Sequence, residues 1–481
     1  MNLRHGQVGV RPHGQWSVRV ARISRLLSAV CLLAVAPLLS LAQSTAQGAT
    51  LSLPEAISQA LAQSPHQLSQ RLEVERTGAG VAAARAARSA TFDATGSATR
   101  YGYPTFVHSI REAGVFPPLD TTIVDLGLAL KLPLYTGGKL TQGIVLADLG
   151  QQIARERERL GAQELTFNVS SVYFKIQQLD ALAQAYAARI ASLEAQLKRA
   201  TLLRDTGKTG KLDQLKIGTL LTKARHDRLQ IENRGREAWS LLYQLSGMTR
   251  PPQAPALTRY VAAWAPDSSL EQMRQQAHAQ RPELQIAARQ SSAGMAKEEI
   301  ARAEQRPAVS LVSGVRGRSG SSGRVYDDWS VGVQLSIPLF DGGVRRARVD
   351  EAAIERRQAD LAAEQTRLEV DKQIEDAWSA HVEAESRLRV TATSIAEASE
   401  ALAIENLKQE QGVGLVTDVL NAETTLLGAQ ADRLQAQFDL ITTRFGLLRA
   451  TGALRPESVA TLVAPDTGAA SANPNAERDK R

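Results

Sequence analysis

Residues 133–247 and 338–452 of this 481-residue chain align without a gap at a constant separation of 205. Pro133, Leu134, Tyr135, Gly137 and Gly138 fall on Pro338, Leu339, Phe340, Gly342 and Gly343. Tyr173 falls on Trp378, Asp213 on Asp418, Leu215 on Leu420 and Gly247 on Gly452. Loops normally lose register first when a duplicated segment drifts, so gap-free agreement means that the length of the unit is itself constrained. Function in such a chain is sought in a geometry rather than in a reaction centre.

Within each copy the hydrophobic period changes once. Ahead of each proline it is two: Val124, Leu126, Leu128, Leu130 and Leu132 alternate with Asp125, Gly127, Ala129 and Lys131, as Trp329, Val331, Val333, Leu335 and Ile337 do with Ser330, Gly332, Gln334 and Ser336. Four strands are expected, at 92–103, 121–132, 308–317 and 328–337, and the first of each pair is rich in small and polar residues. A single strand of this kind more often lines a soluble core. Here the polar partner strands suit a wet interior, and Gly/Pro/Asp-rich loops at 104–120 and 318–327 suit the long-loop end of a membrane barrel. Tyr135 and Phe340 mark one end of the apolar strands, and Tyr101, Tyr103, Tyr326 and Trp329 the other.

Past each Gly-Gly the period becomes helical. Residues 344–411 are 68 positions without Gly or Pro, and 139–206 are 68 with only Gly143 and Gly161. At about 1.5 Å per residue each reaches roughly 100 Å. Leu165, Val169, Val172, Ile176, Leu179, Ala183, Tyr186, Ile190, Leu193 and Leu197 fill ten consecutive a and d positions of a heptad, which predicts a supercoiled partner. Shorter return helices are expected at 211–246 and 416–451, closing helix hairpins at 139–247 and 344–452. Helical segments at Leu53–Gln63 and 65–90 recur at 270–280 and 282–305 with a separation of 217, so the first copy holds 12 more residues, expected in its strand-to-strand loop. This divides the chain into repeat 1 at 51–249, a Pro-rich linker at 250–268, repeat 2 at 269–454 and a disordered tail at 455–481.

The first 42 residues read as a secretory signal peptide: five arginines, an apolar core from Leu26 to Leu41, and a small-residue site ending at Ala42. The sole cysteine, Cys31, lies in that core behind Val30, where a lipoprotein signal needs a small residue, so the expected mature chain is not lipidated. Removing the five leader arginines leaves 52 basic against 50 acidic residues, about +2, which argues against nucleic acid as a partner. No mature segment has the roughly 20 apolar residues of a spanning helix, so any membrane crossing is by β-barrel. Four strands cannot close, and an open edge in hydrocarbon strands backbone groups at several kcal/mol each. Two protomers would give about eight strands, an interior filled by side chains; three would give about twelve, enough for a lumen, and the small polar inner faces favour three.

The stretches LSLPEAISQALAQSP (51–65), DLGLALKLPLYTGGKL (125–140), RPEL (281–284), WSVGVQLSIPLFDGGVRRARV (329–349) and GVGLVTDVLNAETTLL (412–427) resemble the TolC-like outer-membrane factors. The resemblance implies a membrane α+β fold: a trimeric 12-stranded β-barrel, four strands per protomer, continued by a long α-helical coiled-coil barrel. It implies an outer-membrane exit duct of a tripartite efflux pump or type I secretion system, working with a periplasmic adaptor and an inner-membrane transporter. The hairpin turns would be the adaptor-docking tips, with Gly207, Gly210, Gly412, Val413, Gly414 and Leu415, and the periplasmic gate would carry Asp418 and Asp213. A second gate carboxylate of some members is Asn421 here. An alternative for Asp213 and Asp418 is helix capping. The strand-to-helix corners are Pro133, Gly137, Gly138, Pro338, Gly342 and Gly343.

Chemistry finds little support. The histidines at 66, 108, 226, 278 and 381 lack ligand spacing, and no metalloprotease, phosphate-loop or nucleophile motif occurs, so no enzyme activity, cofactor or metal is expected. A periplasmic coiled-coil scaffold without a transport role would share the heptads but leave the four alternating strands without a purpose.

Overall fold

The structure, a computed structural model, describes residues 50–206, 210–262 and 269–465. The expected leader, Gly207 and the tail beyond 465 lie outside the described residues.

Four strands, β1 (Thr91–Phe106), β2 (Leu119–Tyr135), β3 (Ala308–Ser319) and β4 (Val325–Ser336), form one antiparallel sheet in that order. Its register places Leu128 opposite Ala94 and Val315, and Val315 opposite Trp329, so these share a face. Leu126, Leu128, Val331 and Val333 on that face are each about two-thirds exposed. The opposite face carries Thr95, Asp125, Arg316, Asp328 and Ser330, with Arg318 gripping Asp125 at 2.9 Å. A sheet that buries neither face and has two free edges is incomplete as a soluble unit. The single chain holds no closed barrel. The 12 additional residues of the first copy are not confined to a loop: β1 and β2 are 16 and 17 residues long against 12 each for β3 and β4, and a register shift falls between Arg100 and Thr105.

Each strand runs on from or into a helix. α1 (Leu53–Gln63) and α2 (Pro65–Ala86) lead to β1; α5 (Leu270–Gln280) and α6 (Pro282–Ala303) lead to β3. From β2 comes α3 (Lys139–Asp205), answered by α4 (Lys211–Ser246), and from β4 comes α7 (Val344–Glu410), answered by α8 (Val416–Ala450). Both α3 and α7 are 67 residues, and their ends differ by 205. α1 and α5 share the same start: Ser52 with Glu55, and Ser269 with Gln272, make reciprocal capping boxes. Near the sheet the helices repeat the strand order, α2 on α3, α3 on α6, α6 on α7; Gly294 permits the α6–α7 approach, since a Cβ there would lie 3.1 Å from Arg356 Cα. Farther along, α7 packs on α8, α8 on α3 and α3 on α4.

The largest apolar core joins α1, α3, α4 and α8 around Leu53, Tyr173, Phe174, Leu242 and Phe445. The Tyr173 hydroxyl lies 2.8 Å from both the Leu51 and Thr258 carbonyls, tying the linker to the helices. The expectation of a tail disordered from residue 455 is corrected as far as 465: a 3-10 turn at Pro456–Ser458 precedes a strand, Val463–Pro465, paired with Tyr260–Ala262 of the linker. Buried Leu454, Val459 and Val463 fix it to the core, and apolar residues that sparse leave no periodicity to read.

Candidate gate and docking site at the hairpin tips

At the second tip α7 ends at Glu410 with Gln411 as its C-cap, and Gly412 adopts φ +75°, the left-handed conformation that ends helices. The amides of Val413 and Gly414 both donate to the Lys408 carbonyl at 3.0 Å. That doubling back brings Gly414 so close that a Cβ would lie 2.8 Å from Gln409 N. Val413 and Leu415 are 76% and 65% exposed. Two apolar side chains thus stand in solvent on a turn closed by its own backbone. At the first tip Gly210 is extended, and Leu212 and Leu215 are 61% and 56% exposed.

Asp213 and Asp418 sit at equivalent places in the first turns of α4 and α8, whose N-caps are Gly210 and Leu415, and neither helix has a side-chain cap bond. Both carboxylates face the positive helix end. Asp418 and Asn421 are exposed and three residues apart, on one side of α8, while Val419 and Leu420 are buried. Leu420 joins Ile190, Leu193, Ile217 and Leu221 in a cluster that binds α8 to the first hairpin.

Beside this cluster lies a pair not foreseen from the sequence. Arg189 of α3, 9% exposed, meets the Glu423 carboxylate of α8. Glu423 also accepts from Gln196 Nε2 at 2.7 Å and Ser192 Oγ at 3.1 Å, and Arg189 donates to the Leu420 carbonyl at 3.4 Å. Burial pulls the Arg189 pKa down. The available signal was a break in the repeat: 205 residues away, Arg189 faces Ser394 and Glu423 faces Gly218.

The corners are backbone features. Gly137, Gly138, Gly342 and Gly343 all have positive φ, between +65° and +96°. At Gly137 a Cβ would strike the Ala303 carbonyl at 2.8 Å, and Arg306 donates to the Gly137 carbonyl at 2.8 Å. Pro133 lies within β2, next to a register shift before Tyr135, and Pro338 follows the end of β4. Glu304 spans the two corners, bound to Lys139 at 2.7 Å and Arg348 at 3.2 Å. No group of metal-binding residues occurs among the described residues.

A family model described as outer membrane efflux protein matches residues 56–248 and 273–453, most of the chain. The chain belongs to the outer membrane efflux protein family. Among curated proteins, this efflux-family chain is 23% identical over 361 residues to the outer membrane efflux protein BepC of Brucella suis, covering 73% of this chain and 77% of BepC. Among solved structures it is similar to CusC, with TM-score 0.72 and 20% identity over 84% of this chain and 92% of that one. It is similar also to VceC of Vibrio cholerae, with TM-score 0.70 and 19% identity over 83% and 96% of the two chains. The fold is thus that of TolC-like outer-membrane channels, and proteins of this efflux family reside in the Gram-negative outer membrane.

Proposed function

We propose that three copies of this chain assemble in outer-membrane lipid into a twelve-stranded barrel continued by a helical tube. The homotrimer passively conducts substrate handed over by a periplasmic adaptor and an inner-membrane transporter, in a tripartite pump or type I secretion system. The observation that carries this reading is the open four-stranded sheet with an exposed apolar face and a charged opposite face, which needs lipid on one side and water on the other. Three sheets joined edge to edge satisfy the free edges and leave a lumen. The tips are the periplasmic end, where Val413, Gly414 and Leu415 meet the adaptor, and Asp418 with Asn421 narrows the mouth. The Arg189–Glu423 pair supports this reading by holding α8, which carries Asp418, against the first hairpin.

Outer-membrane fractions run with and without heating, together with conductance in planar bilayers, test the assignment. A heat-sensitive trimer band and a small-conductance pore are expected. A protein recovered in the soluble periplasm as a monomer, with no conductance, overturns it.

A further inference from the structure

The repeat supplies an internal control for the surface of the two tips. On the first hairpin a groove lies between α3 and α4 just before the turn, lined by Leu197, Leu202 and Leu221 and by three cations, Lys198, Arg199 and Arg225, against two carboxylates, Glu194 and Asp205. Leu202 is 66% exposed, and Leu221 belongs to the buried tip cluster. Both carboxylates are taken, Glu194 by Arg225 at 2.6 Å and Asp205 by Arg204 at 2.7 Å, whereas Lys198 and Arg199 are exposed and meet no carboxylate among the described residues.

At the equivalent places of the second hairpin, 205 residues on, the three leucines persist as Leu402, Leu407 and Leu426. The three cations do not: Lys198, Arg199 and Arg225 correspond to Ala403, Ile404 and Gln430. Lys211, Lys216 and Lys223, exposed around the rest of the first tip, correspond to Val416, Asn421 and Gly428. The second hairpin builds a helix of the same 67 residues without these charges. The fold therefore does not require them. Like charges gathered on one hairpin end repel, and a surface that carries them without a structural need is suited to an oppositely charged partner.

We propose that the groove on the first hairpin docks an amphipathic helix of a periplasmic partner whose apolar stripe is flanked by Asp or Glu, and that the second hairpin lacks this specificity. The inference rests on the reading of the tips as the adaptor-docking end. A cleft between two antiparallel helices lined by leucines accepts a third helix by its apolar side chains, and the unpaired Lys198 and Arg199 select the flanking charge. Exposed ion pairs add little individually, so these two cations set discrimination and salt dependence more than total affinity.

The test uses the detergent-purified full-length trimer and three labelled synthetic helices: one with a leucine stripe flanked by glutamates, the same stripe flanked by lysines, and a scramble of the first. Fluorescence anisotropy is expected to show the glutamate form binding on the order of tenfold tighter than the lysine form at low salt, with the preference shrinking as salt rises. Lys198→Ala with Arg199→Ile, which installs the second repeat's residues at exposed positions, removes the preference. Ala403→Lys with Ile404→Arg adds a second glutamate-selective site. Equal binding of the two charged helices, tight binding of the scramble, an unchanged preference in the first variant, or no binding because a neighbouring copy covers the groove would each overturn the proposal. A protein that forms conducting trimers yet shows no preference sinks this inference alone. Failure of the duct reading would appear instead in the heat-sensitive band and the conductance.

Discussion

Single residues at the two ends of the helical hairpins carry opposite consequences. Asp418 is exposed in the first turn of α8, where its charge acts on its surroundings. In a trimer three such carboxylates converge, repel one another and focus potential in a narrow aqueous mouth. Asp418→Ala is expected to widen the pore, read as a rise in single-channel conductance; an unchanged value would remove Asp418 from the constriction. At the sheet end, Glu304 holds Lys139 and Arg348 and thereby ties the two corners together. Its bond to Lys139, more than its other contacts, lowers its pKa from the ordinary 4.5. A carboxyl depressed in the folded state contributes stability above its unfolded pKa and loses it as pH falls through the folded one. Heat dissociation of the trimer should therefore ease as pH drops below about 4.5, and Glu304→Gln should flatten that dependence. A profile identical to wild type would show the strut to be idle. The corner glycines were legible in the sequence because their partners are backbone. Glu304 was not, because its partners lie 165 and 44 residues away and no spacing rule reaches that far.

At the scale of elements, the long helices were legible to within a residue or two because length and period reinforce each other. α3 and α7 end at Asp205 and Glu410, against an expected 206 and 411. The heptad stripe of α3 announced a partner but not how many: Ile190 and Leu193 pack in one cluster with Leu221 of α4 and Leu420 of α8. A periodic stripe reports that a face is covered, not by which helix, and the α3–α8 contact was hidden for that reason. The Arg189–Glu423 pair makes that contact specific. Removing one member of a buried ion pair costs about 3–5 kcal/mol, because the other is left desolvated and alone. Glu423→Ala should accordingly loosen α8 from α3, seen as faster trypsin cleavage at the tip and frequent wide openings in bilayers. Replacing both, with Arg189→Met and Glu423→Leu, should restore a closed tip, since an apolar pair of similar volume is often neutral or stabilising. If the double variant is as leaky as the single, the pair does more than fasten two helices.

For the whole molecule, the sheet decides what the chain can become. Its order β1-β2-β3-β4 leaves two free edges, and the helix order α2, α3, α6, α7 repeats it, so strands and helices continue one another in matching order. Alternation along the chain defines two faces but not which one meets lipid, because a soluble sandwich uses the same pattern inverted. The exposure of Leu128 at 64% on a face shared with Val315 and Trp329, themselves 57% and 72% exposed, is what a lipid-facing band requires. Neighbouring residues on β2 can separate the alternatives, because Leu128 and Ala129 point to opposite faces. An arginine on the lipid face near the bilayer midplane costs about 2–4 kcal/mol, whereas one in a water-filled lumen is tolerated. Leu128→Arg should lower the yield of membrane-inserted trimer, and Ala129→Arg should insert normally while reducing cation conductance. The reverse pattern would turn the wall inside out, and equal tolerance of both would mean that neither face meets lipid.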